Sequence, residues 1–64
     1  MIVNGIQEEV ATPISVADLI ASKGLDANRV AVELNGAIVP RTQRAQTTLK
    51  GTDTLEIVTF VQGG

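Results

Sequence analysis

The residue types that carry most side-chain chemistry are missing from this 64-residue chain, which has neither cysteine nor histidine. A disulfide framework, a thiolate metal site and any nucleophile–histidine pair are therefore excluded. Carboxylates, hydroxyls, amides, Lys and Arg remain. Glu8 and Glu9 are neighbours on an extended segment, so they alternate sides and form no carboxylate dyad. One group stands apart, the carboxylate of Gly64 at the end of Gln62-Gly63-Gly64. Gly64 has no Cβ, so its carbonyl carbon is open to attack from either face. Gly63 reaches backbone conformations closed to other residues. Together they make a slim, conformationally free end to the chain, with Val61 and Gln62 as the transition from strand to tail.

A chain of 64 residues is one domain with a small core, burying about 60% of the surface its unfolded form exposes. It has no room for a deep cleft between domains, which favours a carrier, a binding module or a subunit over an autonomous enzyme. The net charge is −2, there is no basic block, and Phe60 is the sole aromatic residue, so nucleic acid is not an expected partner. The apolar runs are too short to cross a bilayer, and the N-terminus reads as a strand rather than a signal peptide. The expectation is a soluble cytoplasmic domain without membrane contact.

The elements that must position the tail can be read along the chain. Met1-Ile2-Val3 and Ile6 to Val10 are β-favouring runs joined by Asn4-Gly5, a strong hairpin signal because both residues accept positive φ. Thr12-Pro13 ends the second strand. A helix then starts at Ser15, which can cap it, with Asp18 placed to complete a capping box and Ile14 and Leu19 to form a staple. Val16, Leu19, Ile20 and Lys23 share a stripe, and Gly24 is the C-terminal cap, with Leu25 tucking back. Val30, Val32 and Leu34 alternate with Ala31 and Glu33. Asn35-Gly36 turns the chain into Ala37-Ile38-Val39, stopped by Pro40. Residues 41–48 read as a polar connection with room for one helical turn, and Leu49 as a core anchor. After a turn over 50–53, the longest β-rich run covers 54–61. Leu55, Ile57, Thr59 and Val61 fall on one face, and Glu56, Val58 and Phe60 on the other.

The order strand-strand-helix-strand-strand-strand predicts an α+β domain of the β-grasp (ubiquitin-like) type. It has a mixed sheet of about five strands with one main helix on one face. The domain spans 1–61, with 62–64 as a flexible Gly-Gly tail. The last strand lies centrally if it pairs with the first. Val58 and Phe60 then point away from the helix, where large apolar groups mark a docking surface. A one-residue slip would make Phe60 core instead. Glu8, Glu9, Glu33, Lys50 and Arg29 are read as solvated, and Arg41 and Arg44 as members of a solvated loop.

The chain resembles the ThiS family of sulfur carriers over essentially its whole length. The resemblance rests on Met1-Ile2-Val3-Asn4-Gly5, on residues 15–20, on the hairpin 30–41 ending Val39-Pro40-Arg41, and on residues 55–64 ending in Gly63-Gly64. Family members often carry Trp where this chain has Arg44, and Gly-Asp where it has Thr52-Asp53. The resemblance implies a non-enzymatic carrier for thiamin biosynthesis. A ThiF-like adenylating enzyme, using ATP and magnesium, would activate Gly64, and a sulfur donor protein would convert it to a thiocarboxylate. Thiazole synthase would accept the sulfur. No metal or permanently bound cofactor is implied. Two alternatives stay open: a carrier for molybdopterin or cysteine synthesis, and a β-grasp interaction module with an inert tail.

Overall fold

The computed structural model describes residues 1–60. The chain runs β1 (Ile2–Val3), β2 (Ile6–Gln7), β3 (Ile14–Ser15), α1 (Val16–Ser22), a 3-10 turn (Ala27–Arg29), β4 (Val30–Leu34) and β5 (Ala37–Ile38). A second 3-10 helix (Arg41–Gln46), β6 (Thr48–Leu49) and β7 (Thr54–Thr59) follow. Five strands form a mixed sheet in the order β2-β1-β7-β4-β5, so the last strand is central. It pairs parallel with β1 and antiparallel with β4. One main helix covers one face, which is the expected β-grasp arrangement.

Helix α1 forms where its local signals place it. Ser15 Oγ accepts the Asp18 N–H at 3.0 Å, satisfying one of the unpaired donors of the first turn. Val16, Leu19 and Ile20 are buried at the 3.6-residue period, and Ile14 packs against the same core. Gly24, at φ +72, closes the helix. Its N–H donates to Ala21 C=O and the Leu25 N–H to Ile20 C=O, the double bond pattern of a Schellman cap. The helix stripe shares a core with Val3, Val30, Val32, Leu55 and Ile57 from the five-stranded sheet and with Leu49 from β6.

Several sequence expectations need correction. The second strand stops at Gln7 instead of reaching Val10. Glu8 donates its N–H to Met1 C=O at 2.8 Å, the last backbone bond between these two segments among the described residues. Glu8 is not simply solvated, because its carboxylate holds Lys23 Nζ at 2.7 and 2.9 Å. Residues 41–48 hold two 3-10 turns' worth of helix and then β6, which pairs antiparallel with β3. Ile14 opposite Leu49 fastens the helix entry to this connection. Two-residue strands carry no readable period, so this ladder left no trace in the sequence pattern. Thr59, placed with the core residues, is exposed because the core ends at Ile57.

Arg44 is the largest departure. It is 5% exposed rather than part of a solvated loop. Its Nη1 donates to Ala27 C=O at 2.9 Å and its Nη2 to Val30 C=O at 2.6 Å. Its Nε is buried without a hydrogen-bond partner among the described residues. Burial, and secondarily the nearby Arg41, lower its pKa, yet a guanidinium remains protonated at neutral pH.

Candidate functional site

Strand β7 delivers the chain to its tail, so the site begins with what fixes β7. Backbone pairing to β1 covers only Ile2↔Thr54 and Val3↔Leu55. Asn4 extends it. At φ 51 it is the first residue of the tight turn, and its N–H donates to Leu55 C=O at 2.9 Å. Its side-chain amide then stands in for a further strand residue. Oδ1 accepts the Ile57 N–H at 2.7 Å, and Nδ2 donates to Ile57 C=O at 3.2 Å.

Asn35, at φ 50, does the equivalent on the other side. Its N–H donates to Thr54 C=O at 2.8 Å, and its Oδ1 accepts the Thr54 N–H at 2.9 Å. Its Nδ2 donates to the buried Asp53 carboxylate at 3.1 Å. That carboxylate also accepts the Lys50 N–H at 2.8 Å, closing the turn before β7. The backbone bond from Lys50, followed by the Asn35 amide, holds the Asp53 pKa below its ordinary value. Both Asn-Gly hairpins are thus pinned to the central strand by the side chain of their asparagine.

At the far end, the Phe60 N–H donates to Arg29 C=O at 2.7 Å, the last backbone anchor of this strand among the described residues. The receiving segment is braced from beneath. Arg44 holds the carbonyls of Ala27 and Val30, on either side of Arg29, and Arg41 reaches Asn28 at 3.3 and 3.4 Å. The local sequence marks Asn4 and Asn35 as turn formers and Arg44 as part of a polar loop. An amide at the first turn position with a free side chain was the one available signal.

Apart from Thr59, the described residues of β7 take the faces expected. Leu55 and Ile57 are buried, whereas Val58 and Phe60 are 55% and 51% exposed on the side away from α1. Ile38 on β5 is also exposed on this open face. Gln62, Gly63 and Gly64 lie outside the described residues, so the proposed reactive carboxylate and its tail are named without a geometry. Among the described residues, no group of three or more His, Cys, Asp and Glu is placed to hold a metal ion, and no helix is long and apolar enough to cross a membrane. Two shallow concavities flank the Glu8–Lys23 pair on the helix side, and neither assembles a nucleophile with a base.

The ThiS family model matches residues 1–64. The chain belongs to the ThiS family. It is similar to the crystal structure of the thiamine biosynthesis protein ThiS from Geobacter metallireducens, with a TM-score of 0.85 and 35% identity, covering 98% of this chain and 96% of that one. A solution structure of a thiamine biosynthesis protein from the same organism aligns with a TM-score of 0.84 and 35% identity, covering 98% and 85%. A segment of a thiazole synthase from Paramagnetospirillum magneticum is 38% identical over 64 residues, all of this chain. The chain spans only 20% of that protein's length. The uncharacterized protein ycf40 of Pyropia yezoensis is 39% identical over 62 residues, 97% of this chain and 87% of that one. ThiS-family membership therefore covers the tail as well as the folded domain, and the β-grasp sheet is that of a solved ThiS.

Proposed function

We propose that the chain is a sulfur carrier of thiamin biosynthesis whose working group is the Gly64 carboxylate. The observation that carries this reading is the ThiS family match, which runs through Gly63 and Gly64. A carboxylate is resonance-stabilised and a poor electrophile. Adenylation by a ThiF-like enzyme, with ATP and magnesium, joins it to AMP and releases pyrophosphate. A sulfur nucleophile at the hydrosulfide level, supplied by a donor protein, then attacks the acyl carbon. AMP leaves, and the product is a thiocarboxylate.

The chain is substrate rather than catalyst in these steps. Its own residues fold a platform and present the tail: Asn4 and Asn35 fix β7, and Arg44 supports the anchor at Phe60. Val58 and Phe60 offer an apolar surface to the activating enzyme. Thiazole synthase is the proposed acceptor, and the thiazole synthase that carries a similar segment supports this choice.

Intact mass after incubation with the adenylating enzyme, ATP, magnesium and a sulfur source tests the reading. The expected gain equals replacement of one oxygen by sulfur, and deletion of Gly64 abolishes it. An unchanged mass with several related activating enzymes sinks the carrier. Thiamin auxotrophy on loss of the protein separates this pathway from molybdopterin or cysteine synthesis.

A further inference from the structure

The open face of the sheet carries an uncompensated pair of like charges. Strands β4 and β7 place Glu33 directly opposite Glu56. Both point away from α1, because the alternating neighbours Val32, Leu55 and Ile57 are buried on the other side. Directly opposed residues in such a ladder have Cβ atoms about 4.5–5.5 Å apart, and like charges there destabilise the sheet. The only ion pairs among the described residues are Lys23–Glu8 and Arg29–Asp26, so neither Glu33 nor Glu56 has a cation of its own there. Of the other cations, Arg44 is buried under the 27–30 segment, Arg41 lies on Asn28, and Lys50 belongs to the turn before β7. Residues 61–64 contain no Lys or Arg.

The pair is bordered by apolar groups. Val58 is the next outward residue along β7 and Ala31 lies opposite it, while Ile38 on β5 lies opposite Glu33. Ile38 is 64% exposed, and Phe60 continues the row. A purely apolar partner covering Val58, Phe60 and Ile38 would strip water from two adjacent carboxylates without replacing their hydrogen bonds, which is strongly unfavourable. A cation placed between them relieves the repulsion and, by hydrogen-bonding both carboxylates, offsets part of the desolvation cost. The planar fork of a guanidinium has donors for two carboxylates at once.

We propose that Glu33 and Glu56 form an anionic clasp that receives a cationic side chain, an arginine by geometry, from the activating enzyme's docking surface. The proposal rests on the sulfur-carrier reading for the identity of that partner. The clasp sets which surfaces the sheet accepts, and the surrounding apolar residues supply contact area. Its position on the central strand and its antiparallel neighbour couples docking directly to the strand that carries the tail.

The test is titration of a ThiF-like adenylating enzyme, without ATP, with the wild-type chain, Glu33→Gln, Glu56→Gln and the double variant, at low and high salt. Pyrophosphate exchange and melting temperature are measured alongside. The clasp predicts at least a tenfold rise in Kd for the double variant. KM rises with it while kcat holds, and the steeper salt dependence belongs to wild type. The melting temperature is unchanged or higher, because repulsion is relieved, so lost affinity is not lost folding. A double variant within twofold of wild type in Kd, with the same salt dependence, overturns the clasp. If wild type binds through the pair but gains no sulfur, the carrier reading fails and the clasp stands. If wild type gains sulfur and the double variant does so equally well at limiting concentration, the clasp alone fails. A wild-type chain that binds no such enzyme overturns both.

Discussion

The two faces of β7 contrast sharply although they share one backbone. Leu55 is fully buried and Ile57 nearly so, each packed under α1. Glu56, Val58 and Phe60 stand between and beyond them with no element of the described chain over them. The inner face is an apolar core whose removal from water drives folding. The outer face mixes apolar groups with two opposed carboxylates, a combination that adds nothing to folding and makes sense against a second surface. A 64-residue domain can thus dedicate alternate residues of a single strand to stability and to recognition.

The largest break in that comparison comes from Leu55→Ala. Truncating a fully buried leucine costs about 2–5 kcal/mol, a large part of the stability of a domain this small. Denaturant unfolding should show a strongly lowered midpoint, and a near-normal midpoint would mean that the inner face is not the core.

A smaller effect is expected at the edge of β7. Asn4→Ala removes both side-chain bonds to Ile57 and puts a Cβ-bearing residue without a compensating amide at φ 51. Loss of the bonds costs about 1–3 kcal/mol, and the left-handed backbone adds to it. Asn4→Gly keeps the turn and loses the amide, so it should fall between wild type and Asn4→Ala. Equal stability of Asn4→Gly and wild type would show that the amide serves only the turn.

The buried Asp53 gives a pH-dependent difference. Its folded pKa is lowered, so the ionised form is favoured in the fold. The stability it contributes is present above the unfolded value, about 3.9, and is lost as pH falls through the folded pKa. Asp53→Asn should therefore lower the melting temperature near neutral pH and flatten the acid limb below about pH 4. A variant with an acid limb as steep as that of wild type assigns the limb to other carboxylates.

The smallest stability change belongs to the open face. Val58→Ala and Phe60→Ala should stay within about 0.5 kcal/mol of wild type while weakening activation by the adenylating enzyme. Unfolding of Phe60→Ala would instead place Phe60 in the core and erase the contrast between faces.

Much of this arrangement is legible in the amino-acid sequence. Asn4-Gly5 and Asn35-Gly36 declare tight hairpins because few other residues tolerate two consecutive positive φ values, and both pairs adopt them. Ser15 and Gly24 bracket a helix by satisfying its end groups from within a few residues. The alternation through Leu55, Glu56, Ile57 and Val58 places Val58 and Phe60 on the open face with the correct register. These features depend on neighbours in sequence, so the chain alone determines them.

Other features are settled only when distant segments meet. Asn4 reaches Ile57 across 53 residues, and no local pattern distinguishes an asparagine that turns the chain from one that also completes a ladder. Arg44 is buried because its fork finds the carbonyls of Ala27 and Val30, 17 and 14 residues away, whereas its polar neighbours suggest solvent. Glu33 and Glu56 are ordinary surface carboxylates until antiparallel pairing sets them opposite each other. The physical reason is common to all three: a polar side chain takes its role from the partner it meets, and only the tertiary fold chooses that partner.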